Sequence, residues 1–249
     1  MERIKTGIYG LDQLIEGGFP KNRIMLTTGA TGTGKSIFSL QFLYKGALDY
    51  GEPGVYVTFD EMPSKIREDV LGFGWNLNAL EKKKLFTIID ASSARAGAPS
   101  EEDYSLLPGE LNFDKVLIEV LSVCRSTKAK RLVFDSIPSM AYQFREEQDI
   151  RKAILKLGYI VSRAGLTTII TSEVAEHALG SGAMVFSKFG VEEYVADGVI
   201  LLSFLGIGEH ATRTLYIRKI RGSKHSLDVH PMDITDKGIV VKRIEEMFK

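Results

Sequence analysis

The chain has 249 residues, 44% hydrophobic and 26% charged, with Lys+Arg and Asp+Glu equal at 32 each. That length suits one large α/β domain, or at most two small ones, with enough apolar residues for a sizeable core. Zero net charge excludes a global field drawing the protein to nucleic acid or a membrane surface and leaves only local patches. The single cysteine, Cys124, has no disulfide partner in the chain and sits in an apolar helical pattern, so it reads as a small core residue. The N-terminus lacks an apolar signal region and no window resembles a membrane span, which makes a cytoplasmic location the expectation. Scarce Asn, Gln and Cys beside plentiful Lys, Arg and Glu lean toward a thermophilic source.

Short β-rich runs alternate with helical patterns along most of the chain. Arg23–Thr28, Val55–Phe59, Leu85–Asp90, Arg131–Asp135 and Thr167–Ser172 are short and nearly continuously apolar, as buried parallel strands are. Ile37–Tyr50, Ser64–Leu71, Asp114–Ser126 and Glu146–Arg163 read as helices between them; in the last, Ile150, Ala153, Ile154, Leu157 and Val161 share one face. The alternation predicts an α/β fold with a mostly parallel, twisted sheet and helices on both faces. Ala91–Asp103 is small, polar and Gly/Pro-bearing and reads as a mobile surface loop. The tail changes character: Gly198–Phe204, Thr212–Ile217, Leu227–Ile234 and Ile239–Lys242 read as strands without long helices between them, which predicts antiparallel edge strands. Nothing splits the chain, so residues 1–249 are expected to form one domain.

Gly29 to Ser36 reads GATGTGKS, the pattern G-x-x-x-x-G-K-[ST], between a predicted strand and a predicted helix. Glycines let the backbone turn its N–H groups toward phosphate oxygens, and the helix adds the positive end of its dipole. Lys35 can reach the β- and γ-phosphates, and the Ser36 hydroxyl can ligate Mg²⁺. Gly29, Ala30, Thr31, Gly32, Thr33, Gly34, Lys35, Ser36 and the following Ile37 form the candidate nucleotide-contacting set, with ATP or ADP and Mg²⁺ as cofactors. Asp135, closing the apolar run Arg131–Asp135, has the position of a Walker-B acid and is the second metal candidate. Asp60 and Glu61 follow another buried run and are candidates for polarising the attacking water.

Several longer stretches carry a resemblance. TGIYGLDQLIEGGFPKNR before the P-loop, VTFDEMPSKI with its downstream FGW, TTIITSE, FGVEEYVADGVILL and IRKIRGSKHS are similar to the KaiC-type branch of the RecA superfamily, from Lys5 to about Val241. The likeness is to a single KaiC-like domain, of the archaeal KaiC-domain type. It implies a RecA-like core, a homohexameric ring and ATP bound between neighbours. It further implies that Lys219 and Arg221 act in trans on the γ-phosphate, like an arginine finger. Ser223 and His225 match positions that contact the nucleotide from that side, and Phe73 and Trp75 match a helix end packed on the core.

One departure concerns the base: the family usually shows two glutamates where this chain has Asp60 and Glu61, and the first of them is the usual base. Asp60 is one methylene shorter, so either it works at a different distance or Glu61 takes over, and hydrolysis is expected to be slow. Gly190–Val195 offers Glu193 and Tyr194 where self-phosphorylating members carry Ser and Thr, which disfavours autokinase activity there. A RecA/RadA-like recombination or repair ATPase is the alternative. Its DNA-facing loops correspond to Ser136–Asp149 and Val174–Gly190, and neither is a basic patch with interleaved aromatics, so nucleic acid is not the expected partner. A further alternative is a nucleotide-dependent scaffold with little turnover, presenting loops such as Ala91–Asp103 or Leu179–Gly182 to a protein partner. His177, His210 and His230 have no metal-like spacing.

Overall fold

Two short strands, β1 (Arg3–Ile4) and β2 (Phe19–Pro20), pair antiparallel around the single-turn helix α1 (Leu11–Leu14). Six strands then build the parallel part of the main sheet: β3 (Ile24–Gly29), β4 (Gly54–Thr58), β5 (Phe86–Asp90), β6 (Arg131–Asp135), β7 (Thr167–Glu173) and β8 (Gly198–Leu205), in the spatial order β8-β3-β7-β6-β4-β5. Beyond β8 the sheet continues antiparallel through β9 (Thr212–Ile220), β10 (Val229–Thr235) and β11 (Gly238–Val241). This computed structural model describes residues 1–106, 112–174, 186–205 and 212–243. Among them, no helix is long and apolar enough to cross a membrane.

The sheet is buried on both faces, and period-two alternation sorts its side chains. Ile24, Leu26, Val55, Val57, Leu132, Phe134 and Ile170 face helices α6 (Phe113–Ser126) and α8 (Glu147–Arg163). Met25, Tyr56, Ile88, Val133, Ile169 and Ile200 face α2 (Lys35–Tyr50), α3 (Pro63–Asp69) and α4 (Leu77–Lys82). Cys124 is buried on the α6 side, where burial pushes its thiol up to about 12, so it is an inert core residue. Trp75 is 2% exposed, stacks on Tyr44 with ring centroids 5.4 Å apart and meets Phe73 at 4.9 Å. The FGW stretch therefore packs on the core as expected.

Two expectations change. The first tail strand, β8, is not an antiparallel addition: it pairs parallel with β3, register Met25 to Gly198 through Gly29 to Leu202, and the direction reverses only at β9. A strand without a long helix before it can still run parallel when its connection crosses back over the sheet, and α9 (Glu192–Val195) lies in that connection. The stretch Ala91–Asp103 is also more ordered than its composition suggests. It opens with helix α5 (Ser92–Ala96), and Asp90 accepts hydrogen bonds from the hydroxyls of Ser92, Ser93 and Ser100. Burial opposes charge on Asp90, but the bonds from Ser100, Ser93 and Ser92 outweigh it and hold the carboxyl below its ordinary value. Farther along, Arg67 forks to Glu81 and Glu102 at 2.8 and 2.7 Å. The remaining loop readings, Leu179–Gly182 with His177, and His210, lie outside the described residues.

Arg131 opens β6 fully buried, held by Glu52 at 2.6 Å and by the Phe42 carbonyl at 2.7 Å, with its guanidinium 4.5 Å from the Phe42 ring centroid. Gly46 in α2 leaves the room for it: a Cβ there would lie 2.2 Å from Arg131 Nε and 2.5 Å from Cδ and Cζ. Helix propensity alone would make Gly46→Ala stabilising by about 1 kcal/mol. The pinned guanidinium cannot retreat, so Gly46→Ala should instead cost about 1–3 kcal/mol, read as a lower midpoint in chemical denaturation.

Candidate active site

The P-loop leaves β3 at Gly29 and enters α2 at Lys35. Gly34, immediately before the helix, has φ 104°, and a Cβ there would come within 3.1 Å of Ile234 Cδ1. No side chain caps α2, so the N–H groups of its first turn are open to an anion, with the helix dipole behind them. Lys35 Nζ donates back to the carbonyls of Gly29 and Ala30, both at 2.9 Å. Burial lowers its pKa, while Glu173 and Asp135 pull it back up.

Strand parity gathers the rest of the site. Tyr56 and Val133 face α2, so Thr58 and Asp135, two residues further along, face it too; Ile169 does the same for Thr171 and Glu173. The result is a cleft of about 430 Å³ lined by Lys35, Ser36, Asp60, Glu61, Asp135 and Glu173, with Tyr56 and Arg213 also in its wall. Asp135 accepts from the Tyr56 hydroxyl at Oδ2 and from Thr171 Oγ1 at Oδ1, each at 2.5 Å. Burial, reinforced by Asp135, pushes the Tyr56 hydroxyl well above its ordinary value, so it stays a donor. Ser36 and Asp135 line the same cleft. A hydroxyl and a carboxylate in one cleft, beside a phosphate cradle, fit a hard cation such as Mg²⁺ bound with a nucleotide.

The two carboxylates after β4 part company. Asp60 is tied down: Arg95 of α5 reaches it at 2.5 Å, Ser139 of α7 (Ile137–Ala141) at 2.6 and 2.7 Å, and Ser136 at 3.1 Å. Glu61 is fixed only through its backbone, which exchanges hydrogen bonds with Thr58 Oγ1. Its carboxylate accepts no hydrogen bond among the described residues. Burial raises its pKa, Asp135, Asp69 and Asp60 add to the rise, and Lys65 opposes it.

Lys219, Arg221, Ser223 and His225 are not in this cleft. Gly29 is level with Leu202, whereas Lys219 pairs with Val199 and Arg221 donates its N–H to Asp197 O. Five strand residues separate the levels of Leu202 and Asp197, about 17 Å along the strand. Lys219 Nζ donates to Glu193 O at 2.5 Å and Arg221 to Tyr194 O at 2.8 Å, both at the C-terminal end of α9. Burial lowers the Lys219 pKa, and Arg221 adds to it. The Ser223 hydroxyl accepts from Arg3 at 2.5 Å, and His225 Nδ1 lies 2.9 Å from Ser226 O.

Sequence reasoning singled out neither Tyr56, Glu173 nor Arg213 as site residues. Glu173 ends TTIITSE, and its parity with the inward Ile169 was the available signal. Arg213, the second residue of β9, leans over Gly32 O at 3.4 Å while covering the Phe204 ring at 5.3 Å. Only the antiparallel pairing of β9 with β8 brings it to the P-loop end.

The chain resembles known proteins over nearly its whole length. Residues 4–246 match the family model for the KaiC ATPase. The chain belongs to the KaiC ATPase family. It is 38% identical to a UPF0273 protein of Methanocaldococcus jannaschii, covering 97% of this chain and 96% of the relative. A UPF0273 protein of Pyrococcus furiosus is 39% identical, covering 97% of this chain and 94% of the relative. The circadian clock oscillator protein KaiC of Parathermosynechococcus lividus is 35% identical over 94% of this chain, which spans 41% of that longer protein. Among solved structures, a KaiC-like protein of Pyrococcus horikoshii superposes with a TM-score of 0.83 at 40% identity, covering 97% of this chain and 99% of that one. The single-domain KaiC-like resemblance and the RecA-type fold both stand on these likenesses.

A ligand that binds only the folded KaiC-like cleft must raise its melting temperature. With Mg²⁺ and ADP at a hundred times their dissociation constant, the gain should be about 2.7 kcal/mol, or roughly 5–10 °C at this chain length. Lys35→Met should erase that shift in differential scanning fluorimetry.

Proposed function

We propose that this KaiC-family chain is a Mg²⁺-dependent ATPase that works as a homo-oligomer, with each phosphate site completed by Lys219 and Arg221 of the neighbouring copy. The observation that carries this reading is their placement along the sheet from the P-loop of their own chain, about 10 Å for Lys219, level with Val199, and about 17 Å for Arg221, level with Asp197. Two cations held side by side on α9 carbonyls cannot serve their own cleft, yet they are pre-ordered to serve another. The family resemblance supports a hexameric ring for this assembly. Ser223 and His225 follow Lys219 and Arg221 on the same lending edge.

Within one cleft, the first-turn N–H groups of α2 and Lys35 would bind the phosphates, and Ser36 and Asp135 would hold Mg²⁺. When bound, the metal would offset negative charge on the phosphates. Lys35 must leave the Gly29 and Ala30 carbonyls to reach a phosphate. Glu61 is the base that orients and polarises water, because Asp60 is already committed to Arg95, Ser136 and Ser139. Lys219 and Arg221 from the next copy neutralise charge as it develops on the γ-phosphoryl oxygens. A base placed by a substituted residue pair accords with slow turnover. Nucleic acid is not a partner in this reading, since Ser136–Asp149 sets Arg145 against Glu146, Glu147 and Asp149.

Two experiments address the parts separately. Glu61→Gln should cut kcat by about 100-fold, as loss of a general base does, whereas Asp60→Asn should cost far less. A base must be deprotonated to act, and the Glu61 pKa is raised, so the acidic limb of the wild-type rate profile should rise with pH above the ordinary carboxylate range and vanish in Glu61→Gln. Equal losses in the two single variants would sink the assignment of Glu61. For the shared site, Lys35→Met and the double variant Lys219→Ala/Arg221→Ala should each be inactive alone. Co-expressed, they should regain a measurable fraction of wild-type ATPase activity, because some interfaces pair an intact P-loop with intact cations. Absence of any recovery in mass-verified mixed assemblies would count against action in trans.

A further inference from the structure

Tyr56 is 1% exposed and stands in the middle of β4, its ring in the apolar layer between the sheet and α2. A phenylalanine would fill the same space, so the hydroxyl calls for its own account. A buried phenol needs a hydrogen-bond partner, and the hydroxyl donates to Asp135 at 2.5 Å. Asp135 is assigned above to Mg²⁺, and the inference rests on that assignment.

We propose that Tyr56 is a positioning residue for the divalent cation, its hydroxyl holding the Asp135 carboxylate in the orientation the metal needs. Tyr56 donates to Oδ2 and Thr171 to Oδ1, so the plane of the carboxylate is fixed by a donor on each oxygen. Both donors come from strands flanking β6, one from β4 and one from β7, and both are buried in the sheet. Neither needs to touch nucleotide to act; each works through Asp135.

The test uses Mn²⁺ as a paramagnetic substitute for Mg²⁺, with the full-length chain and ADP. Electron paramagnetic resonance gives the Mn²⁺ concentration that half-saturates the ADP complex. Tyr56→Phe should raise that concentration about tenfold or more, the usual effect of removing a hydrogen bond to a metal ligand. Binding of ADP in EDTA and metal-free thermal melting should stay near wild type, which a merely structural role for the hydroxyl would not allow. Mn²⁺ binding in Tyr56→Phe as tight as in wild type, or tighter, overturns the proposal while leaving the nucleotide site intact. Failure of wild type itself to bind ADP overturns the nucleotide reading and this inference with it. Thr171→Val serves as the second variant and should weaken Mn²⁺ in the same direction. Weakening in Thr171→Val with none in Tyr56→Phe would assign the carboxylate's orientation to Thr171 alone and also overturn the proposal.

Discussion

Backbone hydrogen bonding among β3, β7, β6 and β4 is the constraint from which the site follows. It sets Gly29 level with Glu173, and Asp135 level with Thr58, at one edge of a sheet buried on both faces. Because successive side chains on a strand point to opposite faces, the same ladder decides which of them look toward α2. Tyr56, Asp135, Thr171 and Glu173 all fall on that side. A one-residue slip of β6 against its neighbours would turn Asp135 into the α6 layer and carry Phe134 toward the phosphate loop. Register here is enforced by the apolar layers on both faces, so the geometry of the cleft is a by-product of packing the core.

The direction of the last strands has a different consequence. β8 runs with β3 and β9 runs against it, so one strand of the tail touches both ends of the molecule. Arg213 at its start leans over the P-loop, and Lys219 and Arg221 at its finish rest on α9. A chain built this way presents a phosphate cradle at one edge and a pair of cations at the other. In the proposed assembly such a surface is heterologous: cradle and cations would meet between copies, and a rotation that closes would give a ring.

Charge in the cleft is unbalanced within one chain. Asp60, Glu61, Asp135 and Glu173 surround Lys35, and the protein relieves this crowding with local hydrogen bonds. Asp60 is neutralised by Arg95, Asp135 is solvated by two buried hydroxyls, and Glu61 responds through a raised pKa. A divalent cation would discharge the same strain more completely. Helix α5 matters in this light, since it ties the neutralising Arg95 to Asp60 from a stretch whose composition alone suggests a free loop.

Much of this protein is legible in its sequence because the features involved are local. The P-loop is contiguous, and the buried parallel strands are short apolar runs with the acidic residue at the end of one of them. The longer motifs carried the family. What the sequence left open depends on elements distant along the chain being brought together. The parallel course of β8 depends on a crossover, and the order within Ala91–Asp103 on Asp90 meeting three serine hydroxyls and Glu102 meeting Arg67. The bond from Tyr56 to Asp135 joins residues that are neighbours only because β4 pairs with β6. The choice between Asp60 and Glu61 rests on Ser136, Ser139 and Arg95, which no spacing rule connects to either acid. Sequence by itself determined the chemistry on offer: a phosphate-binding pattern, a candidate metal acid, two candidate bases and, through the family resemblance, a pair of cations. Tertiary structure alone decided which groups share a cleft and which stand at its far edge, because strand register and direction, not residue type, set distance across a sheet.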